Sequence, residues 1–246
     1  MNFNDQRLTD TCLKSVVNQE LPLNTELLII DNGSKPDYEV PKEYNRYLIN
    51  LVHFEDNNGN IGGQNRCFEW AKHDLVLFVS NDVTFKHTDS INKLLKVGET
   101  QHDFGQIMPT VFNSDGSIQT TGMNWVWPGF GISERTTGFR QVQIVPSITY
   151  LMRKSVWKKI GKFDEKLVSS HEDVDMGLRL KNSGYKNFVS GKSQVVHLAN
   201  QTLRWSLKKP RQVFQQARIK TIQKHHTGFD RILRSAVVYL THAFRF

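Results

Sequence analysis

Long apolar runs are absent from this chain of 246 residues. No stretch of about 18 apolar residues occurs, so no helix is expected to span a bilayer. The first residues, MNFNDQRLTD, are polar and give no secretory signal. Cysteine is scarce. Cys12 and Cys67 match no metal or redox spacing and are too few for a disulfide framework, so both read as buried reduced thiols of a cytosolic protein. There is no G-x-G-x-x-G and no P-loop lysine, which removes the standard nucleotide fingerprints. No internal repeat or low-complexity segment appears. What remains, 38% hydrophobic and 23% charged residues, suits one globular α/β domain with a sizeable core.

Acidic residues are nearly missing from one region. Residues 200–246 hold ten Lys/Arg and one acid, Asp230, a charge of +9, whereas the other 199 residues sum to −1. A neutral body with a basic tail points to an anionic surface as partner. In Arg231–Phe246 the residues Ile232, Leu233, Ala236, Val237, Leu240, Ala243 and Phe244 fall on one helical face, flanked by Arg231, Arg234 and Arg245. Such a helix either packs on the body or lies on an anionic membrane. No nucleic-acid recognition module is present, so nucleic acid is not expected as a partner.

The stretch LVLFVSNDVT, Leu75–Thr84, organises the rest. Its apolar half reads as a strand buried on both faces, and open sheets hold ligands beyond the carboxyl ends of such strands, where Asp82 stands. Before it, a helix over Asp5–Asn18, a strand over Glu26–Ile30 ending in the turn Asp31-Asn32-Gly33-Ser34, a strand over Leu48–Phe54, a glycine-rich loop over residues 57–65 and a helix over Gln64–Lys72 are expected. Strand, loop, helix and strand make one βαβ unit. After it come a helix over Asp89–Val97, a strand over Phe104–Met108, a hairpin turn at Asp115-Gly116, and a long loop over Asn124–Thr137 rich in Trp, Gly and Pro. A strand over Ile144–Arg153, helices over Lys154–Ile160 and Glu172–Asn182, two strands over Lys186–Val189 and Gln194–His197, and two tail helices complete the chain.

Five short elements carry chemistry-capable residues: Asp31, the glycine loop, Asp82, His171-Glu172-Asp173-Val174-Asp175 and His197. Singly, each has a plain structural explanation. Asp31 makes a turn, Asp82 caps a helix, acids at a helix start favour its dipole, and a histidine at a strand end is usually structural. Glycine-loop amides ahead of a helix would hold an anion.

Their order resembles family 2 glycosyltransferases of the GT-A fold, especially bacterial rhamnosyltransferase-like members. The resemblance rests on LLIIDNGS at 27–34, NNGNIGGQNRCFEWA at 57–71, LVLFVSND at 75–82, the run from Lys158 to Tyr185 containing FDE and EDVD, and VVHLANQT at 195–202. It implies a mixed, mostly parallel α/β sheet flanked by helices over residues 1–202, and a basic helical tail over 203–246. Asp31 looks like the aspartate that binds the donor base or ribose, with Asn58, Gly62, Gly63 and Asn81 as further donor-nucleotide residues. Asp82 looks like the last acid of the DXD-type motif, preceded here by Ser80 and Asn81 rather than a first acid, and His197 like the additional ligand of a divalent cation, Mn²⁺ or Mg²⁺. Asp173 resembles the catalytic base, and Glu172, Trp125 and Trp127 are placed at the acceptor.

The residue types suit that chemistry. A sugar leaving a nucleoside diphosphate builds negative charge that a hard cation neutralises, and the attacking hydroxyl needs one carboxylate to take its proton. Glycoside hydrolysis would instead use two carboxyl groups flanking the bond. The implied function is inverting sugar transfer from a nucleotide sugar to a surface glycan or lipid-linked acceptor, in the cytoplasm or at the inner face of the plasma membrane. The rivals are a non-catalytic nucleotide-sugar- or glycan-binding derivative and a basic membrane adaptor acting through the tail alone. Two departures from the family pattern stand out. The initial strand that normally ends near Thr-Tyr-Asn is missing, with Phe3-Asn4 as its remnant, so the sheet should lack an element beside the base pocket. Ser147-Ile148 replaces a small Gly-Ala pair.

Overall fold

The structure is a computed structural model that describes residues 1–167, 170–198 and 210–243. Helix α1 (Gln6–Val17) is capped by Asp5, which accepts from the Leu8 amide at 2.9 Å, and it buries Leu8, Cys12, Leu13 and Val17. Strands β1 (Leu27–Asp31) and β2 (Ile49–His53) pair in parallel, Asp31 opposite His53. Helix α2 (Gly59–Trp70) then leads to β3 (Leu75–Val79) and β4 (Val83–Phe85). After α3 (Ser90–Thr100) come β5 (Phe104–Phe112) and β6 (Ile118–Thr120), joined by a turn in which Asp115 accepts from the Ser117 amide and Gly116 takes a φ of +85°.

The hairpin β7 (Met123–Val126) and β8 (Phe130–Ser133) follows, then β9 (Arg140–Val142), β10 (Thr149–Arg153) and α4 (Lys154–Ile160). Helix α5 (Glu172–Asn182), β11 (Lys186–His197) and the tail helices α6 (Pro210–His225) and α7 (Gly228–Ala243) end the described chain.

The main sheet runs β3-β10-β5-β11-β4, with β6 on β5 and β9 on β11. Phe68 of α2 stacks on Trp157 of α4 and on Tyr150 of β10, which fastens these helices to one face of the sheet. Cys12 and Cys67 are free thiols, and burial raises Cys12 to about 11.

Several expectations need correcting. The sheet is mixed, but of the pairings along it only β5–β11 is parallel, because β10 runs antiparallel between β3 and β5. Strand β3 is not buried on both faces: it is the sheet's edge, Leu75 is exposed, and only Phe78 is fully buried. β2 and β3 lie in different sheets, so the expected βαβ unit is not closed by hydrogen bonds. The glycine loop is the first turns of α2. Gly62 and Gly63 are buried there because an added Cβ would meet Asn58 Cβ at 2.6 Å and the Met1 sulfur at 2.1 Å. The segment 124–137 contains a hairpin, since Trp127-Pro128-Gly129 turns the chain. The two strands expected at 186–197 are one, irregular between Ser190 and Gln194.

Candidate active site

The metal candidates meet because β4 and β11 pair antiparallel with Val83 opposite His197, which sets Asp82 beside the histidine. His197 Nε2 lies 3.1 Å from Asp82 Oδ2, and its Nδ1 lies 3.0 Å from Gln119 Oε1. The backbone closes the same corner, with the Leu198 amide donating to the Asp82 carbonyl at 2.7 Å. Asp82 Oδ1 is buried and has no hydrogen-bond partner among the described residues. A buried carboxylate oxygen left without a partner is costly, and carboxylate plus imidazole is a donor set suited to a divalent cation. The pair therefore fits a cation. Ala199–Thr202, the rest of VVHLANQT, lie outside the described residues.

Asp31 ends β1 and is 1% exposed. Asn2 Nδ2 donates to its Oδ1 at 3.0 Å, as does the Ser34 hydroxyl, while the Tyr38 amide at 2.9 Å and His53 Nδ1 at 3.1 Å meet Oδ2. Burial pushes this carboxyl up, but the bonds from Ser34, Tyr38, His53 and Asn2 outweigh it and hold it below the usual range. Among the described residues, Asp31, Asp37 and His53 form one group of three with potential ligand atoms within 4.8 Å. Both Asp31 oxygens are already satisfied, so that group fits a cation less well than Asp82 and His197. Asn81 donates to the Thr9 hydroxyl at 3.2 Å, and Asn58 precedes α2 without capping it.

The acid cluster sits where α5 begins. His171 takes a left-handed φ of +65°, a conformation a non-glycine residue rarely holds, and this kink turns Glu172 and Asp173 into the helix start. Ser170 Oγ lies 2.7 Å from His171 Nδ1, and Trp125 stands edge-on to the imidazole. Burial, then Arg218, lowers His171 to about 4, so its ring is neutral near pH 7. Glu172 is buried against Asn60 and Gln64 of α2, and burial raises its carboxyl.

The dipole of α5 favours an ionised Asp173 at its first turn. Burial and then the Glu172 carboxylate win instead and push Asp173 up to about 8, against the Val174 and Ser147 amides. Asp175 is fully buried and bonds Arg179 Nε at 2.9 Å, as the four-residue spacing suggests. It also meets Lys224 Nζ at 2.9 Å and His225 Nε2 at 2.8 Å from α6, partners that no local pattern announced.

The aromatic residues Trp125, Trp127 and Phe130 divide between solvent and core. Trp127 is 53% exposed. Trp125 is no open platform: it packs against Ile144 and Val174 and against Ile219, Ile222 and Val238 of the tail. The Arg218 guanidinium lies 4.2 Å over the Phe130 ring. Helix α6 therefore docks on the body, whereas α7 buries Val238 and leaves Phe229 76% and Ile232 63% exposed, beside exposed Leu233, Tyr239 and Leu240. Phe244 and Arg245 lie outside the described residues. No described helix is long and apolar enough to cross a membrane.

Residues 1–161 match the family model for glycosyl transferase family 2. An N-acetylglucosaminyl-diphospho-decaprenol L-rhamnosyltransferase of Mycobacterium tuberculosis is 28% identical over 147 residues, 50% of this chain and 47% of that protein. The O-antigen chain rhamnosyltransferase WbaN of Salmonella anatum is 25% identical over 199 residues, 78% of this chain and 60% of that protein. The chain thus spans about half the length of these curated relatives. The mannosyltransferase PcManGT of Pyrobaculum calidifontis, solved with GDP-Man and Mn²⁺, superposes with a TM-score of 0.64 at 12% identity over 100% of this chain and 74% of that one. That likeness establishes the GT-A fold.

Proposed function

The chain belongs to glycosyl transferase family 2, and on that premise we propose that it transfers a sugar, with inversion, from a nucleotide sugar to a hydroxyl of a surface glycan or lipid-linked precursor. The observation that carries this reading is the Asp82–His197 corner, whose buried Asp82 Oδ1 lacks a partner. Asp82 and His197 would hold a divalent cation, Mn²⁺ or Mg²⁺, which when bound supplies positive charge for the departing diphosphate.

The remaining roles fall to the chain's own side chains. The acceptor oxygen bonds to the sugar's anomeric carbon as the bond from that carbon to the diphosphate breaks, and the acceptor proton passes to Asp173. Glu172, fixed by Asn60 and Gln64, orients the acceptor, and the exposed face of Trp127 gives the sugar ring an apolar surface. Trp125 acts behind them by supporting His171. On the donor side, Asp31 with His53 frames the nucleoside pocket, Asn58 and Asn81 offer amides, and Gly62 and Gly63 act by letting Asn58 and Asn32 approach.

Asp82→Ala should abolish the metal-dependent part of thermal stabilisation by a panel of nucleoside diphosphates, measured with Mn²⁺ and with chelator. Unchanged metal dependence would place the cation elsewhere, with Asp31, Asp37 and His53 the next group to substitute.

The exposed apolar face of α7 and the tail charge of +9 favour contact with an anionic membrane. Sedimentation with anionic liposomes should then fall as salt rises. Binding indifferent to both lipid charge and salt would remove the membrane from the reading.

A further inference from the structure

His226 stands in the short joint between α6, which ends at His225, and α7, which begins at Gly228. Its amide donates to the Ile222 carbonyl of α6 at 2.9 Å, and its ring is only 19% exposed. That ring meets two partners from different elements. Trp125 Nε1 donates to its Nε2 at 3.4 Å, and its Nδ1 lies 2.9 Å from Asp230 Oδ2 of α7, a carboxylate that Arg234 also holds. An indole nitrogen can only donate, so Nε2 must be bare and the proton of the neutral ring must sit on Nδ1, where the carboxylate accepts it. One tautomer therefore satisfies both contacts. Burial first, then the Arg234 guanidinium, lowers the pKa of this ring and keeps it neutral near pH 7.

Trp125 passes this constraint on to the acids. Its ring stands edge-on to His171, with centroids 6.1 Å apart, and packs on the cluster of Ile144, Val174 and Leu178. His171 and Val174 are the residues immediately before and after Glu172-Asp173. The indole thus bears on both ends of the pair. A non-glycine residue at a φ of +65°, as at His171, persists only where its surroundings over-determine it. Here the surroundings are Ser170, Trp125 and, through Trp125, the tail. Gly129 in the β7–β8 turn leaves room for the approach, since a Cβ there would meet Ile222 Cδ1 at 2.7 Å and Trp125 Cζ2 at 3.2 Å.

We propose that His226 is a positioning residue of the transfer site, holding Trp125 on His171 and so fixing the direction in which Glu172 and Asp173 leave the turn. It acts through the indole and takes no proton in the reaction. The inference rests on the role given to Asp173 above. It makes the tail the back wall of the site: Asp230 of α7 orients the imidazole, the imidazole holds the indole, and the indole holds the turn.

The test uses the full chain and three variants. His226→Phe keeps a ring but neither accepts nor donates. His226→Gln offers an amide oxygen to Trp125 and an amide N–H to Asp230. Trp125→Phe removes the indole donor and assigns its N–H resonance. Without donor or metal, His226→Phe should move the Trp125 indole N–H signal toward that of a free indole. The Asp173 carboxyl signal should then titrate at lower pH as water reaches it, while His226→Gln stays near the parent in both. Single-turnover transfer is read with whichever of UDP-, GDP- and dTDP-linked sugars the parent turns over. It should fall by up to roughly 10²-fold in His226→Phe, with thermal stabilisation by the nucleoside diphosphate unchanged, and His226→Phe should add little on top of Trp125→Phe. Indole and carboxyl signals that stay in place in His226→Phe would overturn the proposal. So would a loss of transfer that glutamine does not rescue, or one that adds in full to that of Trp125→Phe. Failure of the base assignment shows elsewhere, as retained transfer in Asp173→Asn, and the two signals decide the present proposal without it.

Discussion

Asp173→Asn should lower the sugar-transfer rate by roughly 10²–10⁴-fold while the protein folds and binds donor as before. The amide keeps the carboxylate's shape, so the contact with the Val174 amide at 2.7 Å survives, but it cannot take the acceptor proton. Stability should not fall. A carboxyl pushed up to about 8 is mostly protonated and uncharged at neutral pH, so a neutral amide in its place changes the local charge little. Single-turnover transfer alongside a melting curve separates the two readouts. Near-full transfer by Asp173→Asn, together with loss of transfer in Glu172→Gln or Asp175→Asn without unfolding, would move the base to another carboxylate.

The same burial gives the reaction a pH signature. The base must be ionised to accept a proton, so transfer should climb with pH and level off above about 8, where Asp173 has lost its proton. Glu172 is the largest charge opposing that ionisation. Glu172→Gln removes it and should slide the rising limb to lower pH. In Asp173→Asn the limb should vanish. Titration of the acceptor hydroxyl alone would leave the limb in place in both variants.

The sequence shows those parts of this molecule that local physics decides. Helix α5 begins and ends where its acids, Arg179 and Gly184 indicate, and Asp115-Gly116 turns its hairpin. The corner at Asp82 and His197 was legible only through resemblance, because 115 residues separate its two members and the β4–β11 register that joins them has no local signature. The glycine run hid the start of α2, because glycine is a poor helix former, yet Gly59, Gly62 and Gly63 lie in its first turns, where Asn58 and Asn32 pack close. β3 looked doubly buried because five of its six leading residues are apolar, yet burial depends on a strand neighbour, and β3 is the edge of its sheet. Amphipathicity could not decide which tail helix docks. The docking helix α6 is held by Lys224 and His225 on Asp175, whereas the more amphipathic α7 keeps most of its large apolar residues in solvent.

Asp175→Ala should be the most destabilising single change near the site, and it should act on the fold rather than on the proton transfer. Its carboxylate is fully buried, yet Arg179, Lys224 and His225 converge on it within 3 Å, joining α5 to the tail. Burial alone would raise its pKa, but His225, Arg179 and Lys224 together hold it down at about 2. A carboxyl depressed in the folded state stabilises above its unfolded value near 4 and loses that contribution as pH falls toward 2. Removing it leaves cationic groups packed without their anion, for which buried pairs typically lose about 3–5 kcal/mol, equivalent to a fall in Tm of roughly 10 °C for a chain of this length. Release of α6 should also free the edge of Trp125 and raise amide exchange across Pro210–His225. Between pH 4 and 2 the variant's melting point should fall by less than the parent's, which loses the Asp175 contribution as well. A variant that melts with the parent at pH 7, or that loses transfer with its stability intact, would show that the Asp175 cluster does not hold the tail helix to α5.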